Sequence, residues 1–225
     1  VKLQKSKYFQ FCRKVFIFIL IFSWIFSGWP RVFNFPPKIQ EAQAFSSGPL
    51  SRGTEGTAGV TGCTNAVNWG GTGSAPTDAS ANDSGYTSLS HASNWDAGET
   101  SDELRLSNFG FNITGTVTGI TVEVLGWANA GTASYTDVIL FTTPGTEVGD
   151  DKATGSLPTS DPGSTYTTFG GSSDTWNAGL TAAQVSNSGF GVVICFTADS
   201  NNSQVNIDHI RITVPYNNAA PTLSI

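Results

Sequence analysis

Val205-Asn206-Ile207-Asp208-His209-Ile210-Arg211-Ile212-Thr213-Val214 is the stretch that decides the fold. Apolar residues recur at every second position, the period of a strand with one face in a core. The alternation breaks once. Val205 and Ile207 share one parity, whereas Ile210, Ile212 and Val214 share the other. One extra residue in a bulge resets which side faces inward. The stretch therefore reads as one long strand with a structural bulge at Asp208 and His209.

The same signal recurs upstream. Glu103–Ser107 places Leu104 and Leu106 on one face and Glu103, Arg105 and Ser107 on the other. Thr118–Trp127 sets Ile120, Val122 and Val124 against Thr121 and Glu123. Tyr135–Thr142 contains the nearly continuous apolar run Val138-Ile139-Leu140-Phe141, as in a strand buried on both faces. Thr165–Phe169 is a short β-branched and aromatic piece, and Phe190–Thr197 puts Phe190, Val192, Ile194 and Phe196 on one side. Weaker strand signals lie at Tyr86–Ser90, Val60–Thr64 and Ala66–Trp69. One short helical turn is expected near 181–187, where Thr181 and Gln184 fit a capping box. Gly-, Pro- and Asn-rich turns separate the strands. The fold class is all-β: an antiparallel two-sheet β-sandwich, jelly-roll-like or Ig-like.

Charge and hydropathy partition the chain at Ala44. Before it, basic residues precede the apolar run Val15–Trp29, and Ala42-Gln43-Ala44 has the small-x-small pattern of a cleavage site. Residues 1–44 thus read as a signal peptide, with an uncleaved N-terminal anchor as the alternative. Seven of the 11 basic residues and one of the 17 acidic residues lie in this segment, which leaves residues 45–225 with a formal net charge of −12. Such a surface repels phosphate backbones and anionic lipid, so neither nucleic acid nor membrane is an expected partner of the exported body. Residues 45–83 read as a Gly-, Ser- and Thr-rich lead-in with edge strands at most, and 84–216 as the sandwich. In 217–225 a short linker precedes the start of a following module, so downstream modules of the same polypeptide are expected partners.

Candidate chemistry is sparse. Two cysteines follow Ala44, Cys63 and Cys195. They either pair in an oxidising compartment or remain two buried thiols. Two histidines, His91 and His209, are too few for an evident catalytic set, and no nucleophile-elbow motif or zinc spacing is present. Asp150 and Asp151 head the loop acids, which also include Asp96 with Glu99 and Asp102 with Glu103. Hard oxygen donors on loops suit Ca²⁺, against the plainer reading of solvated acids. Trp95 and Trp176 lie in similar contexts, Ser-Asn-Trp-Asp-Ala-Gly and Asp-Thr-Trp-Asn-Ala-Gly, which suggests the same kind of turn. Exposed, these rings would stack on sugars; buried, they would anchor loops.

From Ser101 onward the order of motifs is distinctive. Ser101-Asp102-Glu103-Leu104-Arg105-Leu106 leads to Phe109-Gly110-Phe111 and then to Gly119-Ile120-Thr121-Val122-Glu123-Val124. Gly149-Asp150-Asp151-Lys152-Ala153, Tyr166-Thr167-Thr168-Phe169-Gly170-Gly171 and Asp174 with Trp176 follow. Asn187-Ser188-Gly189-Phe190-Gly191-Val192 and Asp208-His209-Ile210-Arg211-Ile212-Thr213-Val214 close the series. Over roughly residues 84–216 the chain resembles a recurrent, largely uncharacterised module of exported bacterial surface proteins and some phage-associated proteins. The resemblance implies a β-sandwich ahead of further extracellular modules, and no established activity.

The resulting expectation is a non-catalytic module of an extracellular or cell-surface, adhesive protein, with glycans or other surface proteins as partners. The alternatives are a carbohydrate-binding module using Trp95 and Trp176, assisted by Ca²⁺, and a secreted hydrolase of extracellular polymer.

Overall fold

The computed structural model describes residues 44–51, 54–56, 63, 79, 82, 86–89, 95–143 and 146–218. All of them belong to one compact unit, Ala42–Ile225. The segment read as a signal peptide (Ala44 apart), the strands expected at Val60–Thr64 and Ala66–Trp69 (Cys63 apart), His91, and residues 219–225 of the expected linker and following module lie outside the described residues. No helix among the described residues is long and apolar enough to cross a membrane.

In chain order the strands are β1 (Ala44–Ser51), β2 (Thr54–Gly56), β3 (Thr87–Leu89), β4 (Leu104–Ser107), β5 (Thr116–Val117), β6 (Ile120–Ala130), β7 (Ala133–Thr143), β8 (Thr146–Val148), β9 (Thr167–Gly171), β10 (Gly191–Ala198) and β11 (Gln204–Asn217). A single helical turn, α1 (Ala182–Val185), lies between β9 and β10. Its capping box is complete. Gln184 N donates to Thr181 Oγ1 at 3.3 Å, and Thr181 N donates to Gln184 Oε1 at 2.9 Å.

The strands form two antiparallel sheets. In one, β1, β11, β6 and β9 run in that order, and β3 and β5 also pair with β11. The other has the order β2-β4-β10-β7-β8. Their facing sides bury Ile120, Val122, Val124, Ile210 and Ile212 from the first sheet against Leu104, Leu106, Val138, Leu140, Val192 and Ile194 from the second. Tyr135 of β7 joins the layers, its ring 4.8 Å from Phe169 of β9 and 5.1 Å from Phe196 of β10. The architecture is a two-sheet antiparallel β-sandwich.

β11 is the backbone of the first sheet. Ile207 pairs with Gly126 and His209 with Leu125, so the register shifts at Asp208. On either side of that shift, Val205, Ile207, Ile210, Ile212 and Val214 are all fully buried. Gly126 is required there, because a Cβ would collide with the Ile207 side chain and the Asn206 carbonyl. A second shift falls between Gln204 and Val205, opposite Ala130 and Ala128.

Three features add to the sequence reading. First, part of the lead-in is built into the sandwich: β1 pairs with β11 and β2 with β4, so residues 44–51 and 54–56 contribute a strand to each sheet. Their Gly, Ser and Thr content conceals this, since β1 and β2 pair through backbone at sheet edges. Second, the run Val138–Phe141 is split between two environments. Val138 and Leu140 face the main core, whereas Phe141 lies on the opposite face in a small cluster with Val193 and Cys195. Third, Glu103 and Arg105, on the face opposite Leu104 and Leu106, are both buried and joined by a 3.0 Å ion pair.

Candidate functional site

The two tryptophans expected to meet a ligand are both fully buried. A ring with no exposed face cannot stack on a sugar, so Trp95 and Trp176 are anchors rather than platforms. Their turns also differ. Trp176 and Asn177 adopt left-handed backbone, with φ of 56° and 54°, while Trp95 and Asp96 do not. Trp176 N donates to Asp174 Oδ1 at 2.8 Å, and its indole Nε1 donates to the Ile120 carbonyl at 2.8 Å. The indole packs over Gly170, where φ is +71° and a Cβ would overlap the ring. Trp95 is held through its backbone carbonyl, which accepts from Ser203 N at 3.1 Å.

The Asp150–Asp151 pair does not converge on a cation. Asp151 Oδ1 accepts from Val138 N at 2.9 Å and Ala153 N at 2.8 Å, which makes it a loop staple. Asp150 and Asp174 share Lys152, whose Nζ lies 3.5 Å and 3.2 Å from their carboxylates. The Trp176 amide holds the Asp174 pKa down, against the opposing effect of desolvation and with help from Lys152. Asp96 and Glu99 likewise close a turn, through Asp96 N to Glu99 Oε2 at 2.9 Å.

Cys63 and Cys195 are joined as a disulfide, with Cα atoms 6.2 Å apart and a sequence separation of 132. Cys195 is fully buried on the outer face of the five-stranded sheet, and Cys63 is partly exposed. Asp137 stands directly opposite Cys195 in register. Burial raises the pKa of Asp137, and Asp151 and Glu103 raise it further. Glu147 is shifted in the same direction, again chiefly by burial.

A raised carboxyl pKa means that the folded state holds its proton more tightly than the unfolded chain. Ionised Asp137 therefore destabilises the fold at neutral pH. That penalty is relieved as pH falls through the raised folded value toward the unfolded one, about 3.9. Asp137→Asn is expected to raise Tm at neutral pH, with the gain disappearing below the unfolded value. Thermal melts across this range check it, and a lowered Tm at neutral pH would contradict it.

The outer face of the six-stranded sheet carries a different arrangement. Arg211 of β11 stands opposite Glu123 of β6 in register. Both point away from the core, because their neighbours Ile210, Ile212, Val122 and Val124 point into it. The pair is bidentate: Nε donates to Oε2 and Nη2 to Oε1, each at 2.9 Å. Those hydrogen bonds raise the Arg211 pKa. Its Cζ lies 3.9 Å from the ring centroid of Tyr166, the residue just before β9. Tyr166 Oη and His209 Nδ1 share a 2.6 Å hydrogen bond whose donor depends on the imidazole tautomer. Further along the same face, Tyr86, 45% exposed, meets the edge of Trp127 with centroids 5.3 Å apart.

This face holds aromatic surface, a flat charge-neutral ion pair and free hydrogen-bonding capacity. The guanidinium has five N–H groups, and Glu123 takes two. Arg211 and Glu123 retain 28% and 20% side-chain exposure, so solvent or a ligand reaches them. The sequence showed Glu123 and Arg211 only as outward strand positions. Their meeting depends on the register of β11 against β6, which no local pattern encodes.

Fold and site together define a β-sandwich with a polar-aromatic outer sheet face. No family model and no curated protein matches the chain. Among solved structures it is similar to a family 29 carbohydrate-binding module from Piromyces equi, with 13% identity and a TM-score of 0.34, over 80% of this chain and 96% of that one. Similarity of that size carries no argument about the ligand of this chain.

Proposed function

We propose that this chain is a non-catalytic β-sandwich module of an exported surface protein, and that it binds neutral glycans on the outer face of its six-stranded sheet. The export segment and the disulfide support the compartment. The ordered Glu123–Arg211–Tyr166–His209 group carries the binding reading. The guanidinium is held flat before any ligand arrives, so little ordering cost falls on binding. Its three remaining N–H groups and the free lone pairs of Glu123 suit hydroxyls that both donate and accept. The net charge of the pair is zero, and the body around it is acidic, which disfavours anionic ligands.

Three groups that a hydrolase could use are engaged in hydrogen bonds within the fold. His209 is bonded to Tyr166, Glu123 to Arg211, and Asp151 to backbone amides. An array of neutral glycans tests the reading. The wild-type chain is expected to bind a subset with little dependence on salt, and Tyr166→Ala and Arg211→Ala to weaken binding at least tenfold. Absence of binding to every neutral glycan would overturn it, and binding that collapses in salt would point instead to a charged protein partner.

A further inference from the structure

On the other sheet, the structure assigns to Cys63, Cys195 and Asp137 a second role: a redox-gated site for a borderline divalent transition ion of the Zn²⁺ type. The sulfur atoms and one carboxylate oxygen all lie within 4.8 Å of one another. Asp137 Oδ2 is 3.8 Å from Cys63 Sγ. Asp137 and Cys195 are register partners on β7 and β10, so the sheet fixes both side chains on the same face. With metal–sulfur bonds of about 2.3 Å, tetrahedral sulfur donors stand roughly 3.8 Å apart, so the bonded sulfurs must separate on reduction, which Cα atoms 6.2 Å apart allow. Two thiolates with one carboxylate are a set that selects such ions over Ca²⁺ or Mg²⁺, and the fourth position is left to water.

The disulfide is the closed state of this gate, since bonded sulfurs are not thiolate ligands. Opening takes two electrons and two protons from a dithiol reductant, which leaves as a disulfide while Cys63 and Cys195 become thiols. Ion binding then expels the two thiol protons to solvent. The partly exposed Cys63 gives the reductant access. Surrounding charge favours a cation: Asp151 acts on Asp137, and Glu147 feels Asp137 in turn. Arg105 is the opposing cation on this face, and Glu103 neutralises it at 3.0 Å. A bound ion would keep the chain at Cys63 pinned to the sheet after the covalent bridge is lost.

The experiment titrates Co²⁺ and Zn²⁺ into the full chain, once oxidised and once reduced by a phosphine under anaerobic conditions. The reduced protein is expected to give a thiolate-to-cobalt charge-transfer band at one equivalent and a Zn²⁺-dependent rise in Tm. The oxidised protein should give neither. Asp137→Asn, which leaves both cysteines in place, should weaken Co²⁺ binding at least tenfold, and Cys63→Ser should abolish the band. A reduced protein without the band, or one that stays unfolded in Zn²⁺, overturns the proposal. So does a band that Asp137→Asn leaves unchanged, which would mark binding by two thiols alone.

Discussion

Trp176→Ala is expected to cost about 3–5 kcal/mol of stability, the range for deleting a large buried aromatic side chain. The indole is fully buried, packs over Gly170 and donates to the Ile120 carbonyl at 2.8 Å. Deleting it opens a cavity at the end of β9 and frees a carbonyl of β6. Trp176→Phe keeps most of the packing and loses the hydrogen bond, at about 1–2 kcal/mol. Trp95 provides the internal control. It is equally buried, but among the described residues its Nε1 has no hydrogen-bond partner, so Trp95→Phe should cost less than Trp176→Phe. Urea unfolding of the three variants measures this order. A Trp176→Ala protein as stable as wild type, but deficient in glycan binding, would contradict the placement of this ring.

Loss of the Cys63–Cys195 bridge is the second large effect. The bridge closes a loop with a sequence separation of 132, and the chain-entropy relation gives about 5 kcal/mol for a loop of that size. The stabilisation comes from restricting the unfolded chain, so reducing the wild-type protein and substituting Cys63→Ser should cost similar amounts. Cys195→Ser should cost more. It places a hydroxyl in a fully buried site between Phe141 and Val193, where its desolvation adds to the lost crosslink. Chemical denaturation of the reduced, Cys63→Ser and Cys195→Ser proteins in metal-free buffer decides it. Equal stability of reduced and oxidised protein would contradict the account.

The strands that build the core are legible because they obey a period of two with few interruptions. The parity break between Ile207 and Ile210 is visible in the sequence, and it lies where the register of β11 shifts. The capping box of α1 is equally local, with both partners within four residues. What escaped reading depends on distant pairing. β1 and β2 have little apolar alternation, since edge strands are held by backbone hydrogen bonds to β11 and β4. Arg105 and Glu103 alternate with Leu104 and Leu106 like solvated residues, yet the outer face they occupy also holds Phe141 and the Cys63–Cys195 bridge, and both are buried.

The candidate site divides along the same line. Trp95 and Trp176 drew notice through composition and polar context, but polar neighbours describe a loop and say nothing about whether its ring points inward. Asp150 and Asp151 look like paired ligands in sequence, whereas the loop turns one toward backbone amides and the other toward Lys152. The Tyr166–Arg211–Glu123 group joins residues 43 to 88 positions apart, and only the sheet register brings them into contact.

Ligand recognition is proposed for the outer face of the six-stranded sheet. Amide and indole NMR shifts of the ¹⁵N-labelled chain test it most directly, recorded during titration with a mixture of neutral β-linked hexasaccharides of glucose, xylose, mannose and galactose. The account predicts saturable shifts at Thr121, Glu123, Tyr166, Arg211 and Thr213, with the indole N–H signals of Trp95 and Trp176 unmoved. Shifts centred on those indoles or on the five-stranded sheet, or no shifts at any concentration, would contradict it.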